Sequence, residues 1–444
     1  MRLTQFLLFS LFGTIFIADA KYLSGLGPVT RLIDIVPDLL SGIIFLAVII
    51  FFSINKRLDI PVKYLIIGFF ITLHLFVGAL INSVQPGAIF SGIRVYFKYI
   101  PLFLLPMVLV FTSRDVMRYI KFVLGLSVIQ MPIALYQRFV EFKFSDFASG
   151  DVVRGTLTSS GILSIYLICA IAVLTAFYLR KRISHIKYAI LLFILFIPTT
   201  INETKSTLIL LPIALFMPVL LDTTRGQIER LRMFIPTALI GLVLIGVFAA
   251  IYNQHWAKGG TNILYFLTKG EAIDMLYKGQ VRGKGYDTAR IDSIVLALKG
   301  LSDDPVHVAV GLGMGNVATS FSKVLGGEYE EYSDYGVRVT TISYLLWETG
   351  IIGVLLVYVF LYQLYKDVRY FKDDRDFIGV LSLGWCVVTV ILSISMFYKT
   401  LLDQNTISYL FWFISGHIVA ESTRCRVAAL HNQQSNISPS GLST

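Results

Sequence analysis

The chain has 444 residues, 56% of them hydrophobic and 15% charged, and a formal net charge of +10. A soluble domain of this length cannot hide so much apolar side chain, because the exposed area of a folded chain does not vanish as the chain grows. Nucleic acid is not the partner that the positive charge points to, since the basic residues are scattered through short connectors between apolar runs rather than gathered on one arm or patch.

Taken in order, residues 3–18, 34–54, 64–81, 93–111, 116–137, 161–179, 186–201, 206–221, 234–252, 340–362, 378–398 and 405–420 are the apolar runs. Most are about 16 to 22 residues long, which is the length that crosses a bilayer as helix. They lack the period-2 alternation of barrel strands, and only helices or closed barrels satisfy their backbone inside lipid. The expected fold is therefore an all-α polytopic membrane protein of about 12 transmembrane helices, with one large extracytoplasmic loop between helices 9 and 10. Residues 1–252 hold helices 1–9, 253–339 the loop with its short amphipathic helices, 340–420 helices 10–12, and 421–444 a polar cytoplasmic tail expected to be disordered. Met1, Arg2, an apolar run and Ala18-Asp19-Ala20 also fit a cleavable export signal, which would leave the topology unchanged.

With the N-terminus in the cytoplasm, the inner connectors receive Lys56, Arg57 and Lys63, then Arg114, Arg118 and Lys121, and then Arg180, Lys181, Arg182 and Lys187. Arg225, Arg230 and Arg232, then Lys366, Arg369, Lys372 and Arg375, and finally Arg424 and Arg426 follow on the same side. This is the positive-inside bias, and it turns the long loop outward. Cys169 and Cys386 fall inside spans and Cys425 in the tail, so no disulfide framework is expected. The six histidines show no metal-ligand spacing, and neither a metal nor a cofactor is expected. No fixed-period repeat or inverted half is visible, which argues against a secondary transporter.

The polar side chains then single themselves out. Arg94 and Lys98 lie four apart at the outer end of the fourth run, on one helical face, and Arg154 precedes the sixth. Each could anchor a headgroup, or together they could help form a cationic site. Asn202, Glu203, Thr204, Lys205, Ser206 and Thr207 fill a connector so short that Lys205 and Glu203 must sit at or within the membrane surface. Ionisable groups at that depth are costly and often functional, although a mutual ion pair or snorkelling is the plainer reading. In the long loop, Asp287 is placed to cap a helix whose apolar residues Ile291, Ile294, Val295, Leu298 and Leu301 recur at helical spacing, with Arg290 in its first turn. An arginine at a helix start can grip a phosphate at two points, or simply be solvated on an interfacial helix.

Gly311, Leu312, Gly313, Met314, Gly315 and Asn316 could turn backbone amides toward an anion, or form a tight turn. The string from Glu328 to Tyr335 mixes carboxylates with aromatic rings, as a sugar surface or a solvated loop would. Arg338 closes the loop, and Glu348 lies one to two turns into the tenth run, as a base, an arginine partner or a buried hydrogen-bonded group. Asp374-Arg375-Asp376 sits in a highly charged inner loop and reads as solvated.

Arg154-Gly155-Thr156-Leu157-Thr158-Ser159-Ser160-Gly161, then Thr204-Lys205-Ser206-Thr207, then Arg290 with Ile294, Pro305, Gly311 and Gly313, and last Glu348-Thr349-Gly350-Ile351-Ile352-Gly353 occur in that order. In this order and spacing, over roughly residues 150–365, the chain resembles the bacterial O-antigen polymerase and O-antigen ligase family of membrane glycosyltransferases. Two positions depart from the family pattern. Val339 stands where ligases carry a histidine, and Lys205 where the family has an arginine. The first departure favours a polymerase over a ligase.

The resemblance implies transfer of a glycan from a polyprenyl-diphosphate carrier to a sugar hydroxyl on a second carrier-linked unit, at the outer face of the bacterial inner membrane. Donor and acceptor glycan lipids, membrane lipids, and a flippase and chain-length regulator would be the partners. Preorganised cations can stabilise a departing diphosphate without a metal. On that reading Arg290, Glu348 and Asp287 carry the catalysis, and Lys205, Arg154, Arg338 and Arg94 bind the diphosphate. A ligase passing finished glycan to a lipid or protein, and a flippase or other transporter of lipid-linked sugar, are the alternatives.

Overall fold

The computed structural model describes residues 2–18, 28–142, 152–255, 280–282, 285–287, 290–317, 326–328 and 336–437. Its helices are α1 (Arg2–Ala18), α2 (Pro28–Asn55), α3 (Val62–Ile81), α4 (Pro86–Phe97), α5 (Ile100–Val108), α6 (Ser113–Tyr136), α7 (Ser160–Leu179), α8 (His185–Ile201), α9 (Thr207–Leu221) and α10 (Gln227–His255). After a hairpin of β1 (Gln280–Arg282) and β2 (Gly285–Asp287) come α11 (Arg290–Leu301), α12 (Pro305–Val310), α13 (Thr341–Val368), α14 (Phe377–Ser395) and α15 (Asn405–Ile437). The antiparallel hairpin is a small departure from the all-α expectation.

Among the described residues, α2, α3, α6, α7, α10, α13 and α14 are the seven helices long and apolar enough to cross a membrane. The α4–α5 pair, bent by 49°, makes an eighth if it is one span. The helices α1, α8 and α9 are apolar but shorter. At about 1.5 Å per residue, α8 and α9 run only about 26 and 23 Å, short of a hydrocarbon core of about 30 Å.

Burial divides the helices. α7 and α14 lie inside the bundle, with Ile165, Ile168, Ile171, Leu381 and Ile391 fully buried. α2, α3 and α10 turn Leu46, Phe69 and Leu242 outward instead. A bundle whose outer surface is apolar is built for a lipid surround, since lipid costs nothing to face with leucine.

The two ends of the bundle differ. At one end, basic side chains from connectors far apart in sequence meet carboxylates. Arg180 reaches Asp222 at 3.2 Å, Arg225 the same carboxyl at 3.5 Å, and Lys372 pairs with Asp373 at 2.7 Å. Lys63 and Arg426 share Asp367 at 2.6 and 3.1 Å, and Arg424 holds Asp59 at 2.6 Å. The last two contacts correct the expectation of a disordered tail after Glu421. Arg424 and Arg426 pin the chain there, and α15 continues to Ile437.

Candidate functional site

The opposite end is organised by a break in α13. Thr340 and Ser343 form a reciprocal cap that starts the helix, which then loses helical geometry at Gly350, where φ is +61°. The break frees carbonyls of the preceding turn, and buried carbonyls need donors. Leu312 N–H donates to the Trp347 carbonyl at 2.7 Å, Gly313 N–H to that of Glu348 at 3.1 Å, and His74 Nε2 lies 2.8 Å from that of Thr349. Gly311 and Gly350 face each other backbone to backbone. A Cβ on Gly311 would run into the Thr349 nitrogen, and one on Gly350 into the Ala309 carbonyl. Of the two readings of the glycine run this supports the tight turn: its Leu312 and Gly313 amides are spent on the broken helix, and the Gly315 N–H faces the Glu348 carboxylate.

The break sets Glu348 in the interior. Its side chain is 1% exposed. Oε2 accepts from the Tyr96 hydroxyl of α4 at 2.8 Å. Oε1 is buried and makes no close hydrogen bond among the described residues, although the Tyr344 hydroxyl and the Gly315 N–H face the same carboxylate as donors. Gly315, Tyr344 and Arg338 stand around the same carboxylate. The Arg338 guanidinium lies 5.6 Å from the centre of the Tyr344 ring, and its Nε is buried without an acceptor among the described residues. A buried polar atom left unpaired costs about 1–3 kcal/mol, so a cluster of them marks a place where a further polar group fits.

Arg338 and Arg290 meet on one connector, residues 396–404 between α14 and α15. The Arg290 Nε donates to the Tyr398 carbonyl at 3.1 Å, and its guanidinium sits 4.0 Å from the centre of the Tyr398 ring. The Thr400 hydroxyl donates to the Arg338 carbonyl. Thr341, the first residue of α13, donates from both N–H and hydroxyl to the Lys399 carbonyl, and its hydroxyl accepts from Leu401 N–H. The connector also receives Gly161 of α7 against Tyr398 and Lys399, and the Thr158 hydroxyl on Gln404.

That contact leads to Arg154. Gln137 accepts from the backbone N–H of Arg154 and Gly155 at 2.9 and 2.8 Å and donates to the Gly155 carbonyl. Gln130, two turns earlier, holds Thr156 in the same manner. These two amides fix the loop that carries Arg154, whose Nε is also buried without an acceptor among the described residues. Beside the start of α7, Asn202 donates to the Ser160 carbonyl and the Ser164 hydroxyl, which ties down the tip between α8 and α9. Lys205 is half-buried and partnered there. Glu203, at φ +60°, acts on the buried Arg138. The Thr204, Ser206 and Thr207 hydroxyls are buried without partners. The cations thus belong to two anchored groups, Arg290 and Arg338 on residues 396–404, and Arg154 and Lys205 on the connectors packed beside the start of α7.

Arg94 joins neither. It donates from Nε to Asp38 at 2.6 Å, and Lys98 approaches the same carboxylate at 3.6 Å. Asp287 ends β2, three residues before α11 begins, and its side chain lies outside the described residues, as do residues 329–335 of the acidic-aromatic string. Tyr96, Tyr344, Tyr398, Thr400, Gln130 and Gln137 were not singled out from the sequence. Two glutamines seven apart in an apolar run were a usable signal, because they share a face that lipid would reject. Tyr398 and Thr400 carry no such mark.

Among the described residues no three His, Cys, Asp or Glu side chains gather as metal ligands. No family model matches the chain, and no curated protein matches its sequence.

Proposed function

We propose that this protein is a membrane glycosyltransferase that joins polyprenyl-diphosphate-linked oligosaccharide repeat units into a surface polysaccharide, such as O-antigen, capsule or exopolysaccharide. In this reading the twelve apolar helices all cross the bacterial inner membrane, both termini are cytoplasmic, and the end bearing Arg290 and Arg338 faces outward.

The observation that carries the reading is the meeting of Arg290 and Arg338 on the connector of residues 396–404, with Glu348 beside Arg338. A lipid diphosphate gains charge as it departs, and fixed guanidinium groups stabilise that charge best when they need not reorganise. Arg290 is fixed at two points by Tyr398. Arg338 is fixed through its backbone and by the cap of α13, and keeps a donor unspent. Glu348 would take the proton of the acceptor hydroxyl through Oε1, while Tyr96 holds the other oxygen. Arg154 and Lys205 would bind the lipid phosphates from the connectors beside the start of α7, and Asp287 stays a secondary candidate for the base.

One pair of observations favours the transport reading: α13 is broken near a buried carboxylate, and α4–α5 is bent, as in transporters. Three of the freed carbonyls are already taken by Leu312, Gly313 and His74, however, which leaves them no role in coordinating a carried ion. The decisive assay is purified protein in detergent given a polyprenyl-diphosphate-linked repeat unit. Elongation that is lost in Arg290→Ala, with the variant still accumulating, is the expected result. Absence of any elongation by the wild type, with uptake of the same lipid into vesicles, would establish transport instead.

A further inference from the structure

A second feature lies away from this site and depends only on the apolar composition of the helices, not on the enzymatic reading. α6 and α7 meet toward the outer end, where the Ser127 and Tyr166 hydroxyls pair at 2.6 Å. Toward the basic end they part around a cleft of about 360 Å³. Its walls are apolar: Ile120 and Leu124 of α6, Ala170 and Val173 of α7, and Trp385 of α14 are among them. Lys121 and Arg182, both exposed, stand among the lining residues at the basic end. Lys121 has no ion-pair partner among the described residues, and Arg182 spends one donor on the Arg375 carbonyl.

An apolar cavity of this size does not hold water, which needs polar partners. At about 30 Å³ for each water-sized group, it has room for roughly a dozen methylenes in a row. Ser127 and Tyr166 line the cleft at one end, and the charged side chains among its lining residues, Lys121 and Arg182, stand toward the other. That polarity matches a single hydrocarbon chain with an anionic head, oriented with the head at the basic end.

We propose that the α6–α7 cleft binds one acyl chain of an anionic phospholipid from the leaflet at the basic end, with the phosphate held between Lys121 and Arg182. The chain fills space that the protein leaves open beside its two central helices, α7 and α14. The lipid is therefore a resident of the bundle, unlike the lipids that merely surround it.

Trp385 lines the cleft and reports its contents. The full-length protein is reconstituted in vesicles of phosphatidylcholine containing phosphatidylglycerol brominated along its acyl chain, and separately with the bromine on phosphatidylcholine. The Trp385 contribution is the difference between wild type and Trp385→Phe. Bromine on phosphatidylglycerol is expected to remove most of that emission. Lys121→Glu and Arg182→Glu should each weaken the preference for phosphatidylglycerol about fivefold, the weight of one basic side chain at an anionic surface. Ala170→Phe, which fills the cleft, should restore the emission with either lipid. If that variant does not fold, the two exposed charge reversals carry the test. Equal quenching by the two lipids, or none by either, would overturn the proposal.

Discussion

The Tyr96 hydroxyl donates to Glu348 Oε2 at 2.8 Å, joining two helices 252 positions apart, while Oε1 of the same carboxylate is buried without a comparably close partner, with Tyr344 and the Gly315 N–H beside the group. The two oxygens thus have different roles, one structural and one available. Tyr96→Phe removes the closest donor to a buried carboxylate and leaves it to Tyr344, the Gly315 N–H and Arg338, at a cost of about 1–3 kcal/mol. Glu348→Gln keeps an oxygen for Tyr96 but cannot accept a proton. Thermal unfolding in detergent should therefore fall for Tyr96→Phe and change little for Glu348→Gln, whereas polymer formation should be lost in Glu348→Gln. Normal polymer in Glu348→Gln would remove this carboxylate from the chemistry.

Gly350 gives a sharper test of the fold. Alanine there bears about 1–3 kcal/mol for a backbone conformation, φ +61° and ψ −167°, that is essentially reserved for glycine, and its Cβ also collides with the Ala309 carbonyl. The expected outcome is a protein that fails to accumulate in the membrane. Gly125, in the middle of α6 with nothing near its missing side chain, is the control: Gly125→Ala should gain about 0.5–1 kcal/mol. Equal accumulation of the two variants would mean that the break at Gly350 is absent in the folded protein.

The helices were legible because bilayer crossing imposes length and composition on a continuous stretch, so each apolar run announces itself. The segregation of basic residues was legible for the same reason, and the ion pairs of Arg180, Lys63 and Arg424 lie at one end as that segregation requires. The site was only partly legible. Arg290, Arg338 and Glu348 stand out as charges in or beside apolar sequence. Arg94 stands out equally but is engaged by Asp38, a partner 56 positions away that no local pattern reveals. The glycine run was visible as glycines, and its role was not. Whether its amides meet an anion or a broken helix depends on Gly350, which belongs to a different element.

Asp222 tests the basic end. It is 1% exposed and faces Arg180 and Arg225. Burial pushes the Arg180 pKa down, and the Asp222 and Asp373 carboxylates oppose that shift. Removing the carboxylate while keeping the cation leaves a buried charge without its partner, which costs about 3–5 kcal/mol, whereas replacing both by apolar side chains is often nearly neutral. Asp222→Asn should therefore lower the unfolding temperature strongly, and Arg180→Met combined with Asp222→Leu should recover part of the loss. An Asp222→Asn protein as stable as wild type would show that solvent reaches this pair.

The orientation of the two ends can be read with thiol chemistry, because the native cysteines lend themselves to it. Cys386 is buried, Cys169 is half-buried within α7, and Cys425 is exposed. In a Cys425→Ser background, Ser302→Cys places a thiol on the exposed turn after α11, and Arg375→Cys places one on the exposed connector before α14. The two positions lie at opposite ends of α13 along the chain. If α13 crosses the membrane with Arg290 and Arg338 outward, a membrane-impermeant maleimide added to spheroplasts labels Ser302→Cys at once and Arg375→Cys only after permeabilisation. Labelling of both from outside would place α13 on one side of the membrane, and the reverse order would put the two arginines in the cytoplasm, where no exported glycan could reach them.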